Sequence, residues 1–145
     1  MKITIENVPE GSEPEIIIRC DEPDESLLQL IYSIKSSTKK LIGSMDLELH
    51  VINPKEVFYF ESVDNKVFIY CKEKVFESRL RLYEIEMEYK NWNFLRTSKS
   101  TIINISKIES VSPVFYGKFE ALLQNGEKVF ISRQYVPILK KKLGL

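Results

Sequence analysis

Groups that do covalent chemistry are scarce in this chain. There is one histidine, His50, in an alternating stretch, with no cysteine or serine spaced to pair with it. Side-chain nucleophilic or general-base catalysis therefore has no candidate set, and no enzyme is expected. The two cysteines, Cys20 and Cys71, lie far apart and fit no metal-ligand spacing. They read as buried free thiols of a cytoplasmic protein. Five glycines occur singly, which excludes a glycine-rich phosphate cradle. No apolar run approaches the ~20 residues of a membrane span. The opening MKITIENVPE lacks the apolar core of a signal peptide. No cofactor or metal is implied.

What is present is charge, unevenly divided. The 145 residues carry no net charge, yet residues 1–38 hold three cations against eight acids, and residues 39–145 hold 18 against 13. From Tyr89 onward there are ten cations and three acids. An acidic head on a basic body argues for a polyanionic partner of the body. With 43% hydrophobic and 29% charged residues, the chain has the composition of an ordinary folded domain.

Lys2–Glu6 and Glu15–Cys20 are β-branched and predict two strands. Pro23 suits a first helical turn, and Leu27, Leu30, Ile31 and Ile34 recur at helical spacing. This predicts a small ββα unit, residues 1–38, too small to bury a core alone and so expected to dimerise or dock on a partner. The body, residues 39–145, predicts a β meander. Its strands are Lys40–Ser44, Leu47–Ile52, Val57–Val63, Val67–Cys71 and Lys74–Arg79. A helix follows around Leu82, Ile85 and Tyr89, with the acids at 84, 86 and 88 as its solvated face. Further strands are expected at Phe94–Arg96, Lys107–Val111, Val114–Gln124 and Glu127–Ile131. Asn125-Gly126 is a strong hairpin signal. A closing helix, Tyr135–Lys142, is expected to turn Ile138 and Leu139 inward. The fold class is α+β and mostly antiparallel. Phe58 and Phe60 alternate onto one face and read as core rather than as a base-stacking platform.

Phe94–Asn104, FLRTSKSTIIN, is the most distinctive stretch. Apolar pairs at its ends can be buried. Arg96, Thr97, Ser98, Lys99, Ser100 and Thr101 are then displayed between them, a set of cations and hydroxyls suited to phosphate oxygens. A polar surface loop would have the same composition. Two other polar turns interrupt apolar patterns and also offer a cation: Asp64-Asn65-Lys66 and Ser132-Arg133-Gln134.

Residues from about 45 to 145 resemble the LytTR DNA-binding domain of bacterial transcription regulators. The resemblance rests on VFYFES (57–62), FLRTSKSTIIN (94–104), Ile108 and Val111, Asn125-Gly126, and ISRQY (131–135) before the last helix. It implies an antiparallel β fold whose loops, rather than a recognition helix, enter the grooves of double-stranded DNA. By resemblance the base-contacting positions fall near Lys66, at Lys99 and at Arg133. Lysine replaces the histidine or asparagine that some members use at the first two, which favours phosphate over base edges there. Around these positions Asn65, Arg96, Ser98, Ser100, Gln134 and Tyr135 complete the expected DNA-binding set. Many members carry a phospho-receiver domain; the acidic head here is too short for one. The chain is similar to the stand-alone subclass, which implies a homodimer on paired DNA repeats and control by a membrane-protein inhibitor encoded nearby. The alternative is an interaction module whose basic face binds an acidic protein partner.

Overall fold

The computed structural model describes residues 2–36, 40–90 and 92–145. Residues 2–24 contain no strand, so the expected ββα unit reduces to its helix, α1 (Glu25–Ser36). Strand propensity needs a partner and a core to act on, and an isolated hairpin has neither. Ile3 and Ile5 are 82% and 89% exposed. Asp24 caps α1 by accepting the Leu27 N–H at 2.8 Å, which leaves Pro23 just outside the helix rather than in its first turn. Leu27, Ile31 and Ile34 form its half-buried face, while Leu30, expected with them, is exposed. Cys20, expected buried, is also exposed. The expected boundary between residues 38 and 39 lies outside the described residues.

The body is built almost entirely from antiparallel hairpins. β1 (Leu41–Met45) and β2 (Glu48–Ile52) meet at a two-residue turn. β3 (Val57–Val63) and β4 (Lys66–Cys71) meet at Asp64 and Asn65, both left-handed at φ 52° and 62°. Tight hairpins require that conformation, and Asp and Asn tolerate it better than most residues. β5 (Val75–Ser78), α2 (Leu82–Glu88), β6 (Phe94–Arg96) and β7 (Thr101–Asn104) follow. These strands form one seven-stranded sheet in the order β2-β1-β5-β4-β3-β7-β6. β8 (Ile108–Pro113), β9 (Phe119–Leu123) and β10 (Lys128–Ile131) form a second sheet, and α3 (Val136–Lys142) closes the chain. Among the described residues no helix is long and apolar enough to cross a membrane.

The large sheet is apolar on both faces. α2 covers one with Leu82, Ile85 and Tyr89 over Phe60, Ile69 and Ile102. The small sheet and α3 cover the other, with Ala121, Leu123, Ile131 and Leu139 against Phe58, Tyr59, Leu95 and Ile103. Each fully buried large side chain contributes about 1.5–3 kcal/mol. Phe58 and Phe60 do not share a face. An irregularity in the β3–β4 pairing between Val57 and Tyr59 shifts the alternation, so Phe58 joins Tyr59 in one core and Phe60 lies in the other. Ile138 is 46% exposed, and Val136 rather than Ile138 accompanies Leu139 inward. At the Asn125-Gly126 turn only Gly126 is left-handed, at φ 87°. The Gly126 N–H donates to Leu123 O, and the Leu123 N–H to Glu127 O, which makes a three-residue hairpin loop.

Candidate nucleic-acid interface

β3 runs antiparallel to β7, with Glu61 opposite Thr101. The end of β3 and the start of β7 therefore lie side by side, and the turns beyond them leave the sheet at the same edge. The Ser62 N–H donates to Ser100 O at 2.8 Å, which ties the 97–100 turn to β3 two residues before Asp64. From the second sheet, the Ser132 N–H donates to Thr97 O, also at 2.8 Å. Thus the three cationic turns of the sequence, distant along the chain, share one edge. Ser98, Lys99, Ser100, Ser132, Arg133 and Gln134 line an open cleft of ≈ 460 Å³ there.

The 97–100 turn is displayed less fully than its composition predicts. Thr97 and Thr101 are buried, at 0% and 7% exposure. The Thr97 N–H donates to Thr101 O at 3.0 Å, and its hydroxyl approaches the same carbonyl. Only Ser98, Lys99 and Ser100 face outward. Ser98 and Ser100 hydroxyls lie 3.3 Å apart, and Ser98 Oγ accepts the Ser100 N–H. Arg96 is turned back on the loop. Its Nε donates to Ser98 O at 2.7 Å, a second guanidinium nitrogen donates to Lys99 O, and the third lies 3.6 Å from Glu86 on α2. These contacts hold the guanidinium against the turn and leave further N–H groups on its two terminal nitrogens.

Lys99, Arg133 and Gln134 are exposed, as are Asn65 and Lys66. Lys66 is the first residue of β4, paired with Val63, rather than part of the turn. Among the described residues no carboxylate forms an ion pair with Lys66, Lys99 or Arg133. Tyr135 is half-buried against the second core, and its N–H donates to Ser132 O. It braces the 132–134 turn. No group of three or more metal-binding side chains occurs among the described residues. A larger cleft of ≈ 910 Å³, lined in part by His50, Cys71 and Phe76, shares no residue with this edge. Its lysines alternate with Glu56 and Glu73, so it offers a polyanion no uniform field.

One element of the edge was not legible in advance. Residues 114–118, expected inside a strand Val114–Gln124, instead form a turn with Tyr116 and Gly117 left-handed at φ 61° and 74°. The signal was Phe115-Tyr116-Gly117, an aromatic pair ahead of a glycine.

Protruding cationic loops on a β scaffold define a surface for a polyanion. Residues 48–144 match the LytTr DNA-binding domain family. The solved LytTr DNA-binding domain of a methyl-accepting/DNA response regulator from Bacillus cereus superposes with a TM-score of 0.69 at 25% identity, over 74% of this chain and 99% of that one. Uncharacterised HTH-type transcriptional regulators of Staphylococcus aureus strains NCTC 8325 and COL are each 27% identical over 100% of this chain and 99% of their own. The sensory transduction protein LytT of Enterococcus faecalis is 30% identical over 67% of this chain and 40% of its own length. The chain belongs to the LytTR DNA-binding domain family and is a DNA-binding transcription regulator. Helix-turn-helix describes the names of the S. aureus relatives better than this fold, where strands separate the α-helices of the described residues.

Proposed function

We propose that the shared edge of the three turns contacts duplex DNA in a sequence-dependent way, with the cations divided by role. Arg133 reads a guanine edge, because a guanidinium can meet O6 and N7 with two parallel hydrogen bonds. Lys99 and Lys66 hold phosphates, and Asn65, Ser98, Ser100 and Gln134 supply further donors. Arg96 and Tyr135 are positioning residues. The observation that carries this reading is the bond from the Ser132 N–H to Thr97 O, which makes Lys99 and Arg133 parts of one surface. The salt dependence of binding tests it. Lys99→Ala is expected to weaken selected and scrambled duplexes alike and to flatten the log–log salt slope by about one unit. Weak binding to DNA with no difference between selected and scrambled duplexes, alongside tight binding to an acidic protein, would favour the interaction-module alternative.

The protein is read as a cytoplasmic homodimer on paired DNA repeats, restrained by a membrane protein rather than by phosphorylation. The head supports self-association: Ile3, Ile5, Ile16, Ile17 and Ile18 are exposed, and exposed apolar side chains of this kind mark interaction surfaces. Ile5→Asp with Ile17→Asp in the full chain is expected to abolish self-association in sedimentation and cooperativity on sites ~10 base pairs apart. An unchanged sedimentation coefficient and unchanged cooperativity would remove the head from the dimer.

A further inference from the structure

The 114–118 turn between β8 and β9 puts two consecutive aromatic rings in solvent. Phe115 is 84% exposed and Tyr116 87%. Large apolar side chains presented together in this way mark a contact surface. The turn has a defined shape: the Val114 N–H donates to Lys118 O at 2.9 Å, and the Lys118 N–H donates to Phe115 O at 3.3 Å. It also abuts the arginine already assigned to a base. A β-carbon at Gly117 would stand 2.9 Å from Cδ and 3.1 Å from Cγ of Arg133. Only a residue without a side chain lets the turn close on that stem, so Gly117 is needed here for close approach as well as for its φ of 74°. The exposed cation Lys118 follows directly.

We propose that Phe115 and Tyr116 form a fourth DNA-contacting element, pressing on the deoxyribose face of the strand beside the base pair that Arg133 reads. The inference rests on the DNA reading of the edge. Continuity and charge name the occupant: the turn that carries the rings abuts the stem of Arg133 through Gly117 and ends on the exposed Lys118, so a duplex seated on Arg133 brings its sugar backbone close to that turn. Deoxyribose is the apolar part of that backbone, and an aromatic ring is its natural complement. Gly117 of the same turn lies against the stem of Arg133, so the turn acts on affinity through its rings and on base discrimination through Gly117.

Apolar contacts release no counterions, which separates them from phosphate contacts. The test uses the full chain and a duplex selected by the wild-type protein from a randomised pool. Phe115→Ser with Tyr116→Asn keeps the turn, since asparagine accepts the left-handed conformation. Binding to the selected duplex is expected to fall roughly tenfold from the lost apolar contact, with the salt slope of the wild type retained. Hydroxyl-radical protection of the sugars beside the Arg133 site is expected to disappear. Gly117→Ala is expected to narrow the ratio of selected to scrambled affinity. A double variant that binds and protects like the wild type overturns this inference and leaves the DNA reading standing. A wild-type protein that selects no duplex overturns the DNA reading itself. Loss of self-association with unchanged DNA affinity per protomer would assign the rings to a second copy and overturn the proposal.

Discussion

Arg133→Lys is expected to weaken binding to the selected duplex by roughly 1–3 kcal/mol while leaving a scrambled duplex nearly unaffected. Charge is conserved, so the nonspecific term persists; the paired hydrogen bonds to one base edge are lost. The competing account is that Arg133 serves the fold, pairing with Glu109 or Glu120. Glu120 instead lies 3.6 Å from Lys128, and Arg133 is exposed with no ion pair among the described residues. Its melting temperature should therefore stay at the wild-type value. Equal loss on both duplexes would show that Arg133 holds a phosphate. A lowered melting temperature with an unchanged affinity ratio would return it to the scaffold.

Asn104→Ala is expected to lower folding stability by about 3 kcal/mol, a large part of a typical domain's margin. Asn104, at the end of FLRTSKSTIIN, is 3% exposed. Its Nδ2 donates to Val57 O at 2.7 Å, and its Oδ1 accepts the Ser106 N–H at 3.0 Å and the Ser106 hydroxyl at 2.7 Å. Alanine strands the Val57 carbonyl at the start of β3, where the neighbouring side chains are buried on both faces of the sheet. Ser106 is exposed and can turn to water, so Ser106→Ala should cost far less. Urea denaturation of both variants checks the assignment. Equal losses would mean that the contact with Ser106, not the bond to Val57, carries the stability. Below the transition, the folded fraction of Asn104→Ala should bind DNA with wild-type affinity, because the residue lies at the end of β7 away from the 97–100 turn.

The two variants probe different levels of legibility. Asn104 was visible only as the end of a motif, because its partner Val57 is far away in sequence. Arg133 was visible through resemblance and through its place between a strand and a helix. Its neighbours were not. Nothing local announces that the Ser132 N–H reaches Thr97 O, or that Gly117 lies on the arginine's stem. Arg96, legible as part of a cationic run, likewise gains contacts that the run does not announce, from Glu86 and two loop carbonyls.

By itself the sequence determined the β3–β4 and β9–β10 hairpins and the positions of the three α-helices to within about two residues, because these follow from short-range chemistry. Asp64 and Asn65 accept left-handed backbone, Asp24 caps the helix that follows it, and β-branched runs favour extended chain. Tertiary structure alone decided which of those local preferences were used. The head's β-branched stretches found no partner strand in the folded chain and stayed out of both sheets. The irregularity after Val57 divided Phe58 from Phe60, because the first half of β3 is buried on both faces of the large sheet and serves two cores. Antiparallel pairing of β3 with β7, and packing of the second sheet on the first, carried the turns at 64–65, 97–100 and 132–134 to one edge. Convergence of that kind is a property of strand order and sheet packing, and both depend on contacts between residues that the linear chain keeps far apart.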